Sequence, residues 1–299
     1  YSKKEERIVT MQEKDMYTPD ELRPQQQPIP GKESKMDPRP IYDDTEKKGS
    51  GRLNSKTAII TGGDSGIGRA TSVAYAKEGC NVVIVYNIAD NDANETKKAA
   101  ESYGGKVLLI KGDIGDSSFC NQVVERTIQE FGGIDILVNN AAEQHMQKSL
   151  ENITDEQLLR TFKTNIFSMF YLTRAALPHM KEGSVIINTS SVTAFKGNQN
   201  LIDYSASKGA VTAFTRSLSQ NLASRKIRVN QVAPGPIWTP LIVSTLEPSA
   251  IQNFGKDTPL QRPGQPVELA EAYVYLASSD SSYMTGQTIH INGGTIING

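Results

Sequence analysis

The chain has 299 residues, 37% hydrophobic and 22% charged, with 32 Lys and Arg against 33 Asp and Glu. That balance provides no strong positive field to draw the protein to nucleic acid or an anionic membrane, and neither is predicted as a partner. Two cysteines outside any Cys-x-x-Cys spacing and three scattered histidines argue against a disulfide framework and a zinc site, so no metal is predicted.

The opening stretch YSKKEERIVTMQEKDMY lacks the apolar core of a signal peptide, and no run of about eighteen apolar residues follows, so a cytoplasmic protein is predicted. From Thr18 to Pro40 the chain is rich in proline, which removes backbone donors and disfavours helix and central strand alike. Residues 1–52 therefore read as an extended arm, either a disordered tail or a strap over its own domain or a neighbouring subunit.

After Arg52 the pattern changes. The apolar runs TAIIT, NVVIVY, KVLLIKG, IDILVNN, SVIINTS, IRVNQVAP and QTIHING alternate with amphipathic stretches at 67–78, 93–102, 117–131 and 154–179, from Asp203 and after Pro266. Continuous Val/Ile/Leu strands mark burial on both faces, as in a parallel sheet covered by helices. Right-handed crossovers make the simplest fold of residues 53–299 a single α/β domain with a doubly wound, seven-stranded parallel sheet of Rossmann type.

TGGDSGIGRA follows the first predicted strand, with Gly62, Gly66 and Gly68 at its junction with a helix. Glycine there allows unusual dihedrals and close approach of a pyrophosphate, and the helix N-terminus offers free N–H groups to the phosphates. In DYSASKG, Tyr204 and Lys208 stand four residues apart and share a helix face. An ammonium beside a phenol of ordinary pKa near 10 favours the phenolate, so the pair reads as a tuned acid/base for moving the proton of a reacting hydroxyl.

The spacing Gly-x-x-x-Gly-x-Gly, together with NNAA and DYSASKG, resembles the short-chain dehydrogenase/reductase family from about Lys56 to the C-terminus. The resemblance implies that Tyr204 is the proton carrier, that Lys208 also binds the nicotinamide ribose, and that Ser191 holds the substrate oxygen, with Ser190 as the fallback. It further implies that Asn165 bends its helix and holds a water linked to the lysine. Cofactor contacts carried over by position are Gly62, Asp64, Ser65, Gly66, Ile67, Gly68, Tyr86, Asn87, Asp113, Ile114, Asn139, Ala141, Pro234, Gly235, Ile237 and Thr239, with Tyr204 and Lys208. The family's usual Asn-Asn-Ala-Gly is altered here, with Ala142 in place of glycine.

Tyr86 and Asn87 end the second predicted strand where an acid would bind a ribose 2′-hydroxyl or an arginine a 2′-phosphate, and Ser65 replaces a basic residue common in NADP-using relatives. NAD is therefore the expected cofactor, with NADP as the alternative. Gln144, His145, Met146, Phe195 and the segment from Leu241 to Phe254 are candidate substrate walls. That segment, carrying Ile242, Leu246 and Ile251, reads either as a mobile lid or as a core-facing helix.

The arm and the glycine turn together resemble a subgroup containing bacterial general-stress oxidoreductases and plant glucose and ribitol dehydrogenase homologues. This implies a small alcohol, aldehyde or polyol substrate and a homotetramer. The expected activity is hydride transfer between NAD(H) and an alcohol or carbonyl. The competing readings are an NADPH-dependent aldehyde or carbonyl reductase and a catalytically silent dinucleotide-binding sensor.

Overall fold

The structure, a computed structural model, describes residues 16–297. The first fifteen residues of the expected arm and the last two of the expected domain lie outside the described residues. The strands are β1 (Thr57–Thr61), β2 (Asn81–Tyr86), β3 (Val107–Lys111), β4 (Ile136–Asn139), β5 (Val185–Thr189), β6 (Arg228–Pro234) and β7 (Thr288–Ile291). All pair in parallel, in the order β3-β2-β1-β4-β5-β6-β7.

The principal helices are α1 (Gly66–Lys77), α2 (Asp90–Glu101), α3 (Ser117–Phe131), α4 (Asp155–Phe162), α5 (Ser168–Ala176), α6 (Thr193–Lys196), α7 (Ile202–Leu222), α8 (Pro240–Val243), α9 (Pro248–Ile251) and α10 (Pro266–Ala277). The unbroken apolar strands serve two cores because successive side chains point to opposite faces. Ile60, Ile84 and Ile187 pack with Tyr75, Ala93 and Tyr273 from α1, α2 and α10, while Ile59, Val83 and Ile186 pack with Val123, Leu172 and Leu222 from α3, α5 and α7.

Two local departures from the sequence pattern have clear causes. Helix α2 begins at Asp90, ahead of the expected 93, with Asp90 and Asp92 placing negative charge in its first turn. The expected single helix over 154–179 is instead α4 and α5 joined by a π-helical turn at Lys163–Phe167. Thr154 starts α4 by accepting the Gln157 N–H.

Residues ahead of β1 run along their own domain. Gln27 N–H donates to the Val243 carbonyl and Val267 N–H to that of Ile41, while Trp238 Nε1 donates to the Pro38 carbonyl at 2.9 Å. Leu22 and Met36 are buried against Trp238, Val243 and Ile251. The segment 16–52 is thus laid over the domain that follows it. Where β1 and β4 lie side by side the sheet order reverses, and a cleft opens beyond their C-terminal ends, the usual place for a ligand in such a sheet.

Candidate active site

The cleft measures about 600 Å³ and runs from the turn after β1 to α8 and α9. Gly62 and Gly66 adopt positive φ of 63° and 53°, conformations that glycine accepts without strain. A side chain on Gly68 would overlap the Gly62 carbonyl, so this glycine lets α1 close onto the turn.

Tyr204 and Lys208 both line the cleft from α7, and both are buried. Lys208 Nζ donates to the Thr189 carbonyl at 2.8 Å and lies 5.6 Å from the centre of the Tyr204 ring. Ser191, just beyond β5, lines the cleft with Tyr204 and favours the ionised form of its phenol. The Ser191 Oγ accepts from Thr193 N–H at 3.1 Å and Thr193 Oγ1 at 3.0 Å. Ser190 Oγ turns to the Lys208 carbonyl at 3.2 Å, so Ser191 is the serine directed at the phenol.

Burial pushes the Tyr204 phenol up to about 12, with the Ser191 contact pulling the other way. It pushes Lys208 down to about 7. The expected lowering of the phenol by the lysine is therefore reversed in this structure: loss of water opposes charge on each group, and it dominates both shifts.

Asn165 sits in the π-turn, behind the cleft wall. Its Oδ1 accepts the Glu143 N–H at 2.8 Å, while Nδ2 donates to the Glu143 carbonyl at 2.9 Å and to Ser207 Oγ at 3.0 Å. The helix is thus irregular where this side chain docks the loop after β4 against α7.

Most of the sequence-derived cofactor residues meet in the cleft: Gly62, Asp64, Ser65, Gly66, Ile67, Tyr86, Asn87, Asp113, Ile114, Ala141, Pro234, Gly235, Ile237 and Thr239 all contribute to its wall. Two are placed elsewhere. Gly68 is a packing residue, and Asn139 points into the sheet, where Nδ2 donates to Asn188 Oδ1 at 2.9 Å. Its neighbour Asn140 lines the cleft instead, donating from Nδ2 to the Thr61 carbonyl at 3.1 Å. The one-residue difference follows from strand alternation, which sends adjacent side chains to opposite sides.

Sequence reasoning missed Glu143 and Arg160. The Arg160 guanidinium pairs with Glu143 and donates to Asp113 Oδ2 at 2.5 Å, joining the loops after β4 and β3. Although burial raises it, the nearby His145 ring, 3.5 Å away, and the hydrogen bonds from Arg160 hold the Glu143 carboxyl down at about 2. The available signal was an arginine five positions before Asn165 in a helix otherwise read as a scaffold.

Near the end of β2, Tyr86 Oη donates to Asp90 Oδ1 at 2.9 Å, and Lys111 Nζ pairs with Asp90 Oδ2 at 2.7 Å. At the other end, Gln144, Leu241, Ile242, Leu246 and Phe254 line the cleft. Val243 and Ile251 face the buried side, against Leu22 and Met36. The segment is thus both a cleft wall and a core-packed layer. Phe195 packs edge-on to His290, 4.8 Å between ring centres, rather than forming the wall.

The glycine turn and the Tyr204–Lys208–Ser191 group, both on the wall of one cleft, fit a nicotinamide dinucleotide, whose phosphates the start of α1 would hold and whose reacting end Tyr204 would meet. Among the described residues, no helix is long and apolar enough to cross a membrane, and no group of three or more His, Cys, Asp and Glu could hold a metal ion.

A nucleotide crevice at a sheet's switch point with tyrosine, lysine and serine at one end defines a class of oxidoreductases. The family described as enoyl-(acyl carrier protein) reductase matches residues 62–295. The chain belongs to the short-chain dehydrogenase/reductase family, whose members bind NAD(P). It is 64% identical over 270 residues to the uncharacterized oxidoreductase YhxC of Bacillus subtilis, covering 90% of this chain and 94% of that protein. It is 50% identical to the glucose and ribitol dehydrogenase of Daucus carota, covering 92% and 96% respectively. Among solved structures, a short-chain dehydrogenase from Burkholderia cenocepacia in complex with NADP matches with a TM-score of 0.77 at 29% identity, over 81% of this chain and 98% of that one.

Proposed function

We propose that the protein transfers a hydride between NAD(H) and the alcohol or carbonyl group of a small substrate, with Tyr204 as the acid/base. The observation that carries this reading is the convergence of Tyr204, Ser191 and Lys208 on the wall of a cleft that begins at the glycine turn. The bound dinucleotide supplies or accepts the hydride. Ser191 fixes the substrate oxygen beside the phenol, Tyr204 gives it a proton during reduction or takes one during oxidation, and Lys208 holds the nicotinamide ribose. Asn165 fixes the loop after β4 and, through an ordered water, connects Lys208 to solvent.

The reading of NAD rests on the engagement of nearby cations: Lys111 is paired with Asp90, and Arg69 with Glu33. A 2′-phosphate would have to compete with those carboxylates. Asn198, Asn253 and Gln144 share the substrate end with Leu241 and Ile242, a mixture suited to a polyol or a small hydroxylated aldehyde, in keeping with the carrot relative. NADPH-dependent carbonyl reduction is the second reading, favoured by the NADP bound to the Burkholderia neighbour. A silent dinucleotide sensor has no use for a buried Tyr204–Lys208 pair.

Exposed Leu158, Leu159 and Phe170 on α4 and α5 support assembly, proposed as a homotetramer, and a cytoplasmic setting suits the chemistry. The deciding experiment is a panel of polyols, alcohols and aldehydes followed at the nicotinamide absorbance with NAD and NADP side by side. Dinucleotide binding without turnover across the panel would favour the sensor.

A further inference from the structure

Glu33, in the proline-rich segment ahead of β1, is completely buried although it is a carboxylate in a stretch of polar residues. Its Oε2 accepts the N–H of Gly66, the first residue of α1, at 2.6 Å, and its Oε1 lies 2.7 Å from the guanidinium of the equally buried Arg69. The backbone N–H groups of Glu33 and Ser34 donate to Asp92 Oδ2 and Oδ1 at 2.7 and 3.0 Å, tying the same short turn to α2. Ser65, at the N-cap of α1, makes no side-chain capping bond, and Glu33 supplies the missing acceptor from outside the helix.

Nearby, Gly31 passes so close to Pro240 that a side chain would overlap its carbonyl, and Pro240 and Thr239 in turn abut Gly66. Ile29, Pro30 and Gly31 line the same cleft as Gly62, Ser65 and Ile67. An arm that served only as a tether could cross this point with a neutral, exposed side chain. A buried carboxylate is costly, and it is held here by partners belonging to the glycine turn and α1.

We propose that Glu33 is a positioning residue for the dinucleotide: it fixes the glycine turn and the first turn of α1, while Ile29 to Gly31 complete the cleft wall over them. The inference rests on the cofactor reading above. Glu33 lies outside the Tyr204–Ser191–Lys208 group and acts through Gly66 and Arg69, so its removal weakens cofactor retention more than the chemical step.

The test is a direct titration of NADH and NADPH by nicotinamide fluorescence with the full chain and its E33A and E33Q variants, alongside steady-state kinetics and thermal melting. E33A is expected to raise the cofactor Kd about tenfold, the worth of one charge-assisted hydrogen bond, with cofactor KM following Kd while kcat changes much less. E33Q keeps an acceptor oxygen for the Gly66 N–H and is expected to fall between the two; it also carries the test should E33A not fold. Binding within about twofold of wild type for both variants would overturn the inference, as would parallel losses in kcat and KM that track only the melting temperature. If the wild-type chain binds neither dinucleotide, the cofactor reading falls and takes this inference with it.

Discussion

Burial opposes charge on both members of the Tyr204 and Lys208 pair. With the phenol at about 12 and the amine at about 7, Tyr204 carries its proton at neutral pH, the form that can donate to a carbonyl oxygen. Oxidation requires the opposite form, so kcat/KM for alcohol oxidation is expected to rise from pH 7 towards pH 10, measured as initial rates in constant ionic strength. A falling oxidation profile would contradict the role. Tyr204→Phe is expected to lower turnover by about 10²–10⁴-fold with cofactor affinity nearly unchanged, whereas Lys208→Ala weakens both, a contrast read by pairing kinetics with cofactor titration. The i,i+4 spacing made the pair's adjacency legible in the sequence. The direction of the shifts was not, because it depends on how much water β5 and α7 exclude. Glu33 was illegible for a related reason: GKESKMDP reads as a solvated stretch until the chain returns it to α1.

The central strands were legible because burial on both faces leaves no polar alternation to confuse with a helix, whereas the edge strands β3 and β7, only partly buried, were legible from their apolar runs alone. The break between α4 and α5 was legible only through the family resemblance, which places a bend at Asn165; by its own pattern FKTNIFSMF contains no proline or glycine and reads as an unbroken helix. Its cause lies at a distance, in the Glu143 backbone that Asn165 grips with both ends of its amide. The junction of β1 and α1 shows the converse, a local requirement written plainly in the sequence. Gly68→Ala places a methyl group against the Gly62 carbonyl, and neither backbone can move without parting α1 from the turn. This substitution is expected to cost about 1–3 kcal/mol of stability and to weaken cofactor binding, checked by denaturant unfolding and titration. Unchanged values for both would mean that the close approach is not required.

Across the whole molecule, the arm unites parts that the sheet alone keeps separate. Leu22 and Met36 support α8 and α9, Glu33 and Ser34 hold α1 and α2, and Ile41 reaches α10. Trp238 anchors this arrangement, fully buried with its Nε1 on the Pro38 carbonyl. Trp238→Ala is expected to destabilise the fold by about 3–5 kcal/mol and to loosen the Leu241–Phe254 wall, seen as a lower melting temperature and faster hydrogen exchange in that segment. Composition pointed to an arm without α-helix or strand, and residues 16–52 hold only short 3-10 turns at Pro19–Glu21 and Glu33–Lys35; it could not reveal the arm's partners, because proline-rich chain is as suitable for a fitted strap as for a free tail.

That strap gives the stretch before β1 the standing of a roof beam. An engineer who trims it to obtain a minimal Rossmann core would be remodelling the chamber itself, because Ile29, Pro30 and Gly31 would go with it.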